Sequence, residues 1–289
     1  MAPTSLPYDI VGHIIDILAA EGDLTPIKNV SLASSSLLHL CRRYIFHTIP
    51  SYHRRLRSLK KPFISLLVNN PAIAQYIRVL NYAVHPKDYQ LSPLLPSLLQ
   101  TISHLKYLRI TSAIDSHEKF DWAEIDPLLQ SALLHLMHLP TLTHFVIMRV
   151  RNIPISALAP CISLEQLDIR YTTVAQLGSC SQTSRPQTPR ILHLRIDSSQ
   201  TAVGRLLRAR WNDGRQVLDF THVKTLVLDF DIFQDRELTQ ELFENVKDLE
   251  ELKINGMFTF TVQTLKLTVV FISPKWYREP YGPFWNDFC

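Results

Sequence analysis

The chain has 289 residues, of which 46% are hydrophobic and 19% charged, with a formal net charge of +4. That much apolar material can build a sizeable core and excludes a disordered chain, while so small a charge over this length does not by itself argue for a nucleic-acid partner. Only seven glycines occur, none in a G-x-G-x-x-G or P-loop arrangement, which excludes the usual phosphate-cradling loops.

The first predicted element lies in SLPYDIVGHIIDIL, residues 5 to 18. Leu6, Ile10, Ile14, Ile15, Ile17 and Leu18 fall mostly on one helical stripe, Pro7 sits near the first turn where its missing N–H costs nothing, and Asp9 adds a favourable charge to the helix N-terminus. After the break EGDLTP comes a second apolar stretch, IKNVSLASSSLLHLCRRYIFHTI. The two span only about 45 residues, too few to bury all their apolar surface alone. Another surface must cover the remainder.

Next comes a basic connector, residues 49–70. Arg42, Arg43, Arg54, Arg55, Arg57, Lys60 and Lys61 occupy an acid-free stretch in and just before it, whereas residues 229 to 251 are rich in Asp and Glu. Aromatic and basic side chains interleave in CRRYIFHTIPSYHRRLRSLKK, a pattern that also suits nucleic acid. A solvated connecting helix is the preferred reading.

From residue 77 a six-residue pattern, apolar-x-x-apolar-x-apolar, recurs as IRVLNY, LKYLRI, LTHFVI, LEQLDI, ILHLRI, VKTLVL and LEELKI, with VQTLKL at 262 a further candidate copy. The last two apolar positions alternate with polar ones, as a strand with one buried face requires. Segments with helical spacing precede most copies, among them SPLLPSLLQTISH, DPLLQSALLHLMH, AVGRLLRAR and ELTQELFENVKD. A strand and a helix repeated at this interval stack into a solenoid with a parallel sheet on its concave side. The outward strand positions would then be Tyr107, Arg109, His144, Gln166, Asp168, Arg170, His193, Arg195, Asp197, Asp229, Glu251 and Lys253. Such a polar face suits a protein partner. The same residues also suit cross-strand ion pairs, Asp168 with Arg195 and Arg170 with Asp197.

The periodicity breaks at GSCSQTSRPQTPR, read as a loop, and ends at FISPKWYREPYGPFWNDFC, an aromatic and proline-rich tail over 271–289. That tail is expected either to cap the last repeat or to be an unnatural ending. Cys41, Cys161, Cys180 and Cys289 stand far apart, with no CxxC pair and no histidines at metal-ligand spacing, so neither disulfides nor a metal site is expected. A reduced compartment, cytoplasm or nucleus, follows. Residues 127 to 148 lack Asp, Glu, Lys and Arg, but Gln130, His135, His138, Pro140 and His144 interrupt them, so no membrane partner is expected. HLMH at 135 to 138 reads as core and surface histidine. With no nucleophile elbow and no Cys–His motif, no catalytic residue and no cofactor is expected.

Two resemblances add to this reading. The run Leu6-Pro7, Asp9-Ile10, Ile14-Ile15, Leu18, then Leu24, Val30, Ser31, Ser35, Leu37, Leu38, Leu40, Cys41, Tyr44 and Phe46 resembles an F-box over residues 1–48. Residues 71–270 resemble irregular leucine-rich repeats, although the family's ladder asparagine is replaced by Thr172 and Asp231 in two copies and elsewhere by His85, Ala113, Val150, Ser199 or Met257. Together they imply an α/β chain: a small all-helical F-box, then an irregular leucine-rich-repeat solenoid with a parallel β-sheet on its concave face. The combination is similar to fungal-type substrate receptors of SCF-type cullin-RING ubiquitin ligases. The resemblance implies docking on the small adaptor subunit through Leu6, Pro7, Ile10, Ile14, Val30 and Leu38, and binding of a protein target on the repeat face. A repeat scaffold unrelated to ubiquitin is the main alternative.

Overall fold

The computed structural model describes residues 7–50, 60–85, 88, 92–112, 119–175, 188–229, 232, 235–255 and 268–272. Three short helices open the chain. Helix α1 (Tyr8–Ala20) begins after Pro7, whose carbonyl accepts the Val11 N–H at 3.2 Å, with Asp9 in its first turn. It stops at Gly22, which takes a left-handed φ of 85° and donates its N–H to the Ala19 carbonyl, as glycine does past a helix end. Helix α2 (Thr25–Ala33) has a proline in its first turn, and α3 (Leu38–Ile45) follows a single 3-10 turn. The three pack around Ile15, Ile27 and Cys41, with Val11, Leu18, Leu24, Val30 and Tyr44 against them. This small core is separate from the main one.

The rest of the chain is mixed α/β. Among the described residues its sheet holds nine strands in the order β1-β2-β3-β5-β7-β8-β9-β10-β11, every neighbouring pair parallel. The strands are β1 (Thr48–Pro50), β2 (Val79–Val84), β3 (Tyr107–Ser112), β5 (His144–Met148), β7 (Gln166–Arg170), β8 (His193–Asp197), β9 (Thr225–Asp229), β10 (Glu251–Asn255) and β11 (Thr268–Ile272). Two short strands, β4 (Phe120–Asp121) and β6 (Val150–Arg151), pair beside it. Strand order follows chain order and never reverses. Because parallel crossovers are right-handed, each connection must return over the same face.

That face is the core. Leu80, Leu108, Phe145, Leu167, Leu194, Leu226 and Leu252 form one buried row, and Tyr82, Ile110, Ile147, Ile169, Ile196, Leu228 and Ile254 a second. These are the last two apolar positions of the seven repeat copies. Buried side chains from α4 (Lys60–Asn69) and from the helices Leu95–Gln100, Pro127–Met137, Gln200–Arg208 and Arg236–Asn245 join the same core. Asp126 and Asp235 cap two of these helices by accepting the N–H of Leu128 and Leu238, the role short polar residues play there. Between β5 and β7 the crossover contains β6 and, in place of an α-helix, the 3-10 turn Ile155–Ala157.

The chain turns out of the sheet in a recurring way. Arg149, Tyr171 and Ser198 each follow the last residue of a strand, and all have positive φ, 59°, 52° and 44°. Non-glycine residues pay roughly 1–2 kcal/mol for this conformation, so neighbouring bonds must hold it. Arg149 donates its N–H to the Arg170 carbonyl and Tyr171 to that of Asp197. One residue on stand Thr172 and Ser199, both buried. Thr172 donates its hydroxyl to the Arg170 carbonyl at 2.8 Å and its N–H to Ser199 Oγ at 2.9 Å, while Ser199 donates to the Asp197 carbonyl at 2.8 Å. Side-chain hydroxyls thus satisfy the backbone of both turns.

Three sequence boundaries move. Thr48–Pro50, expected at the junction with a helical connector, form the first strand because their backbone completes the exposed edge of β2. Phe271 and Ile272, grouped with the tail, belong to β11. The last strand uses 268–272, whereas the candidate eighth copy begins at 262 and lies outside the described residues, as do 51–59, 176–187 and 273–289. HLMH separates as expected: Leu136 and Met137 are buried, His135 is exposed, and His138 Nε2 lies 3.0 Å from the Ala157 carbonyl.

Candidate binding surfaces

Helix α1 carries two apolar stripes, offset by one residue and therefore by about 100°. Val11, Ile15 and Leu18 face the small core. Ile10, Ile14 and Ile17 face outward and remain 45%, 43% and 51% exposed. The sequence reading merged these into one stripe; packing against α2 and α3 consumes half of it. Pro7 is exposed, Val30 and Leu38 are half-buried, and Leu6 lies outside the described residues. Val30 packs inward on the small core.

Sequence reasoning missed several neighbours of the exposed strip. Tyr8 stacks on His39, ring centroids 5.5 Å apart. Asp16 accepts from the Tyr44 hydroxyl at 2.6 Å and pairs with Arg43, tying α1 to α3. The Tyr44 bond first, then the Arg43 charge, hold the Asp16 carboxyl below its usual range. Leu32, at the end of α2, is the most exposed large apolar residue among the described residues, at 86%. A signal was available: Ile10, Ile14 and Ile17 repeat at i, i+4 and i+7 on their own.

The second surface is the sheet face turned away from the core. Parallel register places Tyr107, His144, Gln166, His193 and Glu251 in one row, Arg109, Asp168, Arg195 and Lys253 in the next, and Arg170, Asp197 and Asp229 in the third. All the target-face candidates therefore share one surface. They are not equally open. Asp168 and Asp197 are buried, and Val146 between Arg109 and Asp168 is buried too.

Register sets Asp168 beside Arg195 and Arg170 beside Asp197, as expected, and hydrogen bonds also run along the strand. Arg170 donates Nε to Asp168 Oδ1 at 2.8 Å and Nη2 to Oδ2 at 2.5 Å. Two residues apart on one strand, they point to the same side. Lys253 and Glu251 pair likewise at 2.8 Å. Tyr107 and His144 rings lie 6.4 Å apart, and Arg109 approaches the Met148 sulfur at 3.8 Å. Burial keeps His144 below the usual histidine range.

At the far edge of this face two carboxylates meet. Burial, and then the charge and hydrogen bond of Asp229, push the Asp197 carboxyl up to about 6, against the opposing pull of Arg195 and Arg170. Ser198 Oγ donates to Asp229 at 3.3 Å, and Tyr171, 39% exposed, lies under Arg149 at 6.0 Å from guanidinium carbon to ring centre.

Among the described residues no group of three or more His, Cys, Asp or Glu could hold a metal ion, and no helix is long and apolar enough to cross a membrane. Cys41 and Cys161 are buried free thiols, and burial pushes the Cys161 thiol up to about 12, far from the thiolate range a nucleophile needs. Compared with known protein families, characterised proteins and solved structures, the chain matches none.

Proposed function

We propose that this chain is the substrate-recognition subunit of an SCF-type cullin-RING ubiquitin ligase. In this reading α1–α3 are an F-box and the parallel sheet with its crossovers an irregular leucine-rich-repeat solenoid. The observation that carries it is the outward stripe of α1. A helix whose inner stripe is already satisfied by Ile15, Ile27 and Cys41 still holds Ile10, Ile14 and Ile17 toward water. Contiguous exposed aliphatic residues on a helix suit a partner's groove.

Each of these side chains, fully buried by a partner, contributes roughly 1.5–3 kcal/mol before the cost of association. Two or three anchors therefore decide affinity. Strand order that follows chain order supports the repeat assignment, and so does the hydroxyl ladder of Thr172 and Ser199 at the motif's asparagine place. The polar sheet face, with Tyr107, Arg109, His144, Gln166 and His193 at its accessible side, is the surface we assign to the target protein.

The test is co-purification with the adaptor subunit. Ile10→Asp combined with Ile14→Asp abolishes adaptor capture while the melting temperature stays within a few degrees of wild type, as does Leu6→Ala with Pro7→Ala. Wild-type capture by both double mutants sinks the F-box assignment. If the adaptor never binds but a distinct protein does, the chain is a repeat scaffold outside the ubiquitin system.

A further inference from the structure

The residue just ahead of each strand offers its carbonyl to two successive N–H groups of the next strand. His47 accepts from Arg78 and Val79 at 2.9 and 3.0 Å, and Arg78 accepts from Lys106 and Tyr107 at 2.8 and 2.9 Å. His47, Arg78 and Lys106 thus hold one register position on three adjacent strands, about 4.8 Å apart. Further along the same row stand Thr143, Glu165, Leu192, Lys224 and Glu250, where the Lys224 ammonium meets Glu250 at 2.8 Å. The row neutralises its cation at one end and stacks cations at the other.

A cleft of about 280 Å³ lies over that basic end, lined by Arg43 and Tyr44 of α3, His47, Tyr76, Arg78 and Lys106. Among the described residues no carboxylate lines it. Arg78 donates Nη1 to the carbonyls of Gln75 and Ile77 at 2.5 and 3.1 Å, which fixes the guanidinium without cancelling its charge. Among the described residues neither Arg78 nor Lys106 has a carboxylate partner. Arg43 is engaged by Asp16 and lies 4.9 Å from the Tyr44 ring centre.

We propose that this cleft binds a phosphate monoester between Arg78 and Lys106. Two uncancelled cations match a dianion, and the guanidinium and ammonium are the side chains suited to phosphate oxygens. Its volume falls below the roughly 300–1,000 Å³ of drug-sized sites, so it admits the phosphate group and the first atoms of its carrier. A polyanion would need a continued track of cations, and the row instead runs into Thr143 and Glu165. Burial, then Arg78 and Lys106, hold the His47 imidazole below the usual histidine range; an entering dianion reverses the last two influences. Nothing here depends on the ubiquitin assignment.

The experiment is an NMR titration of the full chain, following the His47 imidazole. The probes are inorganic phosphate, O-phosphoserine, a short neutral peptide carrying phosphoserine, and serine as control. Saturable shifts with the phosphates but not serine are expected, with a rise in the His47 pKa and affinity that weakens as salt is added. Lys106→Gln, at an exposed side chain, keeps the melting temperature and weakens binding about tenfold, the scale of one lost charge-assisted bond. Equal affinity for inorganic phosphate and the peptide assigns a free phosphate ligand; tighter peptide binding assigns a phosphorylated protein side chain. No saturable response at tens of millimolar phosphate, an unchanged response in Lys106→Gln, or a single-stranded oligonucleotide binding more tightly than every monoester overturns the proposal.

Discussion

Ser199 Oγ receives the backbone N–H of Thr172 at 2.9 Å and donates to the Asp197 carbonyl at 2.8 Å, joining the turns after two adjacent strands. Both residues are buried. Replacing Ser199 by Ala strands a buried N–H that water cannot reach, which costs about 1–3 kcal/mol. Urea unfolding of Ser199→Ala should show a lower midpoint with an unchanged slope. A midpoint equal to wild type denies the hydroxyl its structural role.

Asp197 and Asp229 sit side by side on β8 and β9, and the folded state raises the Asp197 carboxyl from an ordinary 3.8 to about 6. A carboxyl raised on folding stabilises the protein below its unfolded pKa and loses that contribution as pH climbs through about 6. At neutral pH the pair is therefore a liability. Asp197→Asn should raise the melting temperature at pH 7 by a few degrees, at about 2–4 °C per kcal/mol for a chain of this class. At pH 4 the gain should vanish. Melting curves across pH 4 to 8 decide it, and a gain that is independent of pH rules out carboxylate repulsion.

The Asp168–Arg170 pair is sheltered, with side chains 5% and 11% exposed. Asp168→Ala leaves the guanidinium poorly compensated and should cost about 3 kcal/mol, whereas replacing both by apolar residues should cost less than the single change. A double-mutant cycle by denaturant unfolding measures the coupling. Arg170→Met also removes one of the cations that lower Asp197, so its carboxyl should titrate at still higher pH.

Neighbouring isoleucines on α1 should behave oppositely. Ile15, 1% exposed, fills the small core, while Ile14 is 43% exposed. Ile15→Ala should destabilise the three-helix unit by about 2–5 kcal/mol. Ile14→Ala should change stability by no more than about 0.5 kcal/mol. Hydrogen exchange of α1–α3 amides reads the difference directly; equal losses would mean that Ile14 is covered by its own chain.

Much of the architecture was written in the sequence itself. Leu167 and Ile169, or Leu194 and Ile196, alternate with polar neighbours because side chains on a strand point to opposite faces, so each copy announced its strand and its buried pair without knowledge of any other copy. Helix caps such as Asp126 and Asp235 are equally local, one side chain answering an N–H two or three residues away. The outward rows followed from the same alternation. What needed the assembled molecule was every relation between segments. Ile14 and Ile15 are the same residue type one step apart, and only the packing of α2 and α3 on one flank of α1 decides which is sealed and which meets water. Asp168 has Arg170 two residues away on its own strand and Arg195 at its register position on the next, a juxtaposition that exists only once β7 and β8 have paired. His47, Arg78 and Lys106 lie tens of residues apart along the chain, each unremarkable alone; the shared register of β1, β2 and β3 sets three positive or protonatable groups at strand spacing. Local chemistry fixes which face a residue chooses, but electrostatics and exposure depend on distances that exist only once the strands have paired.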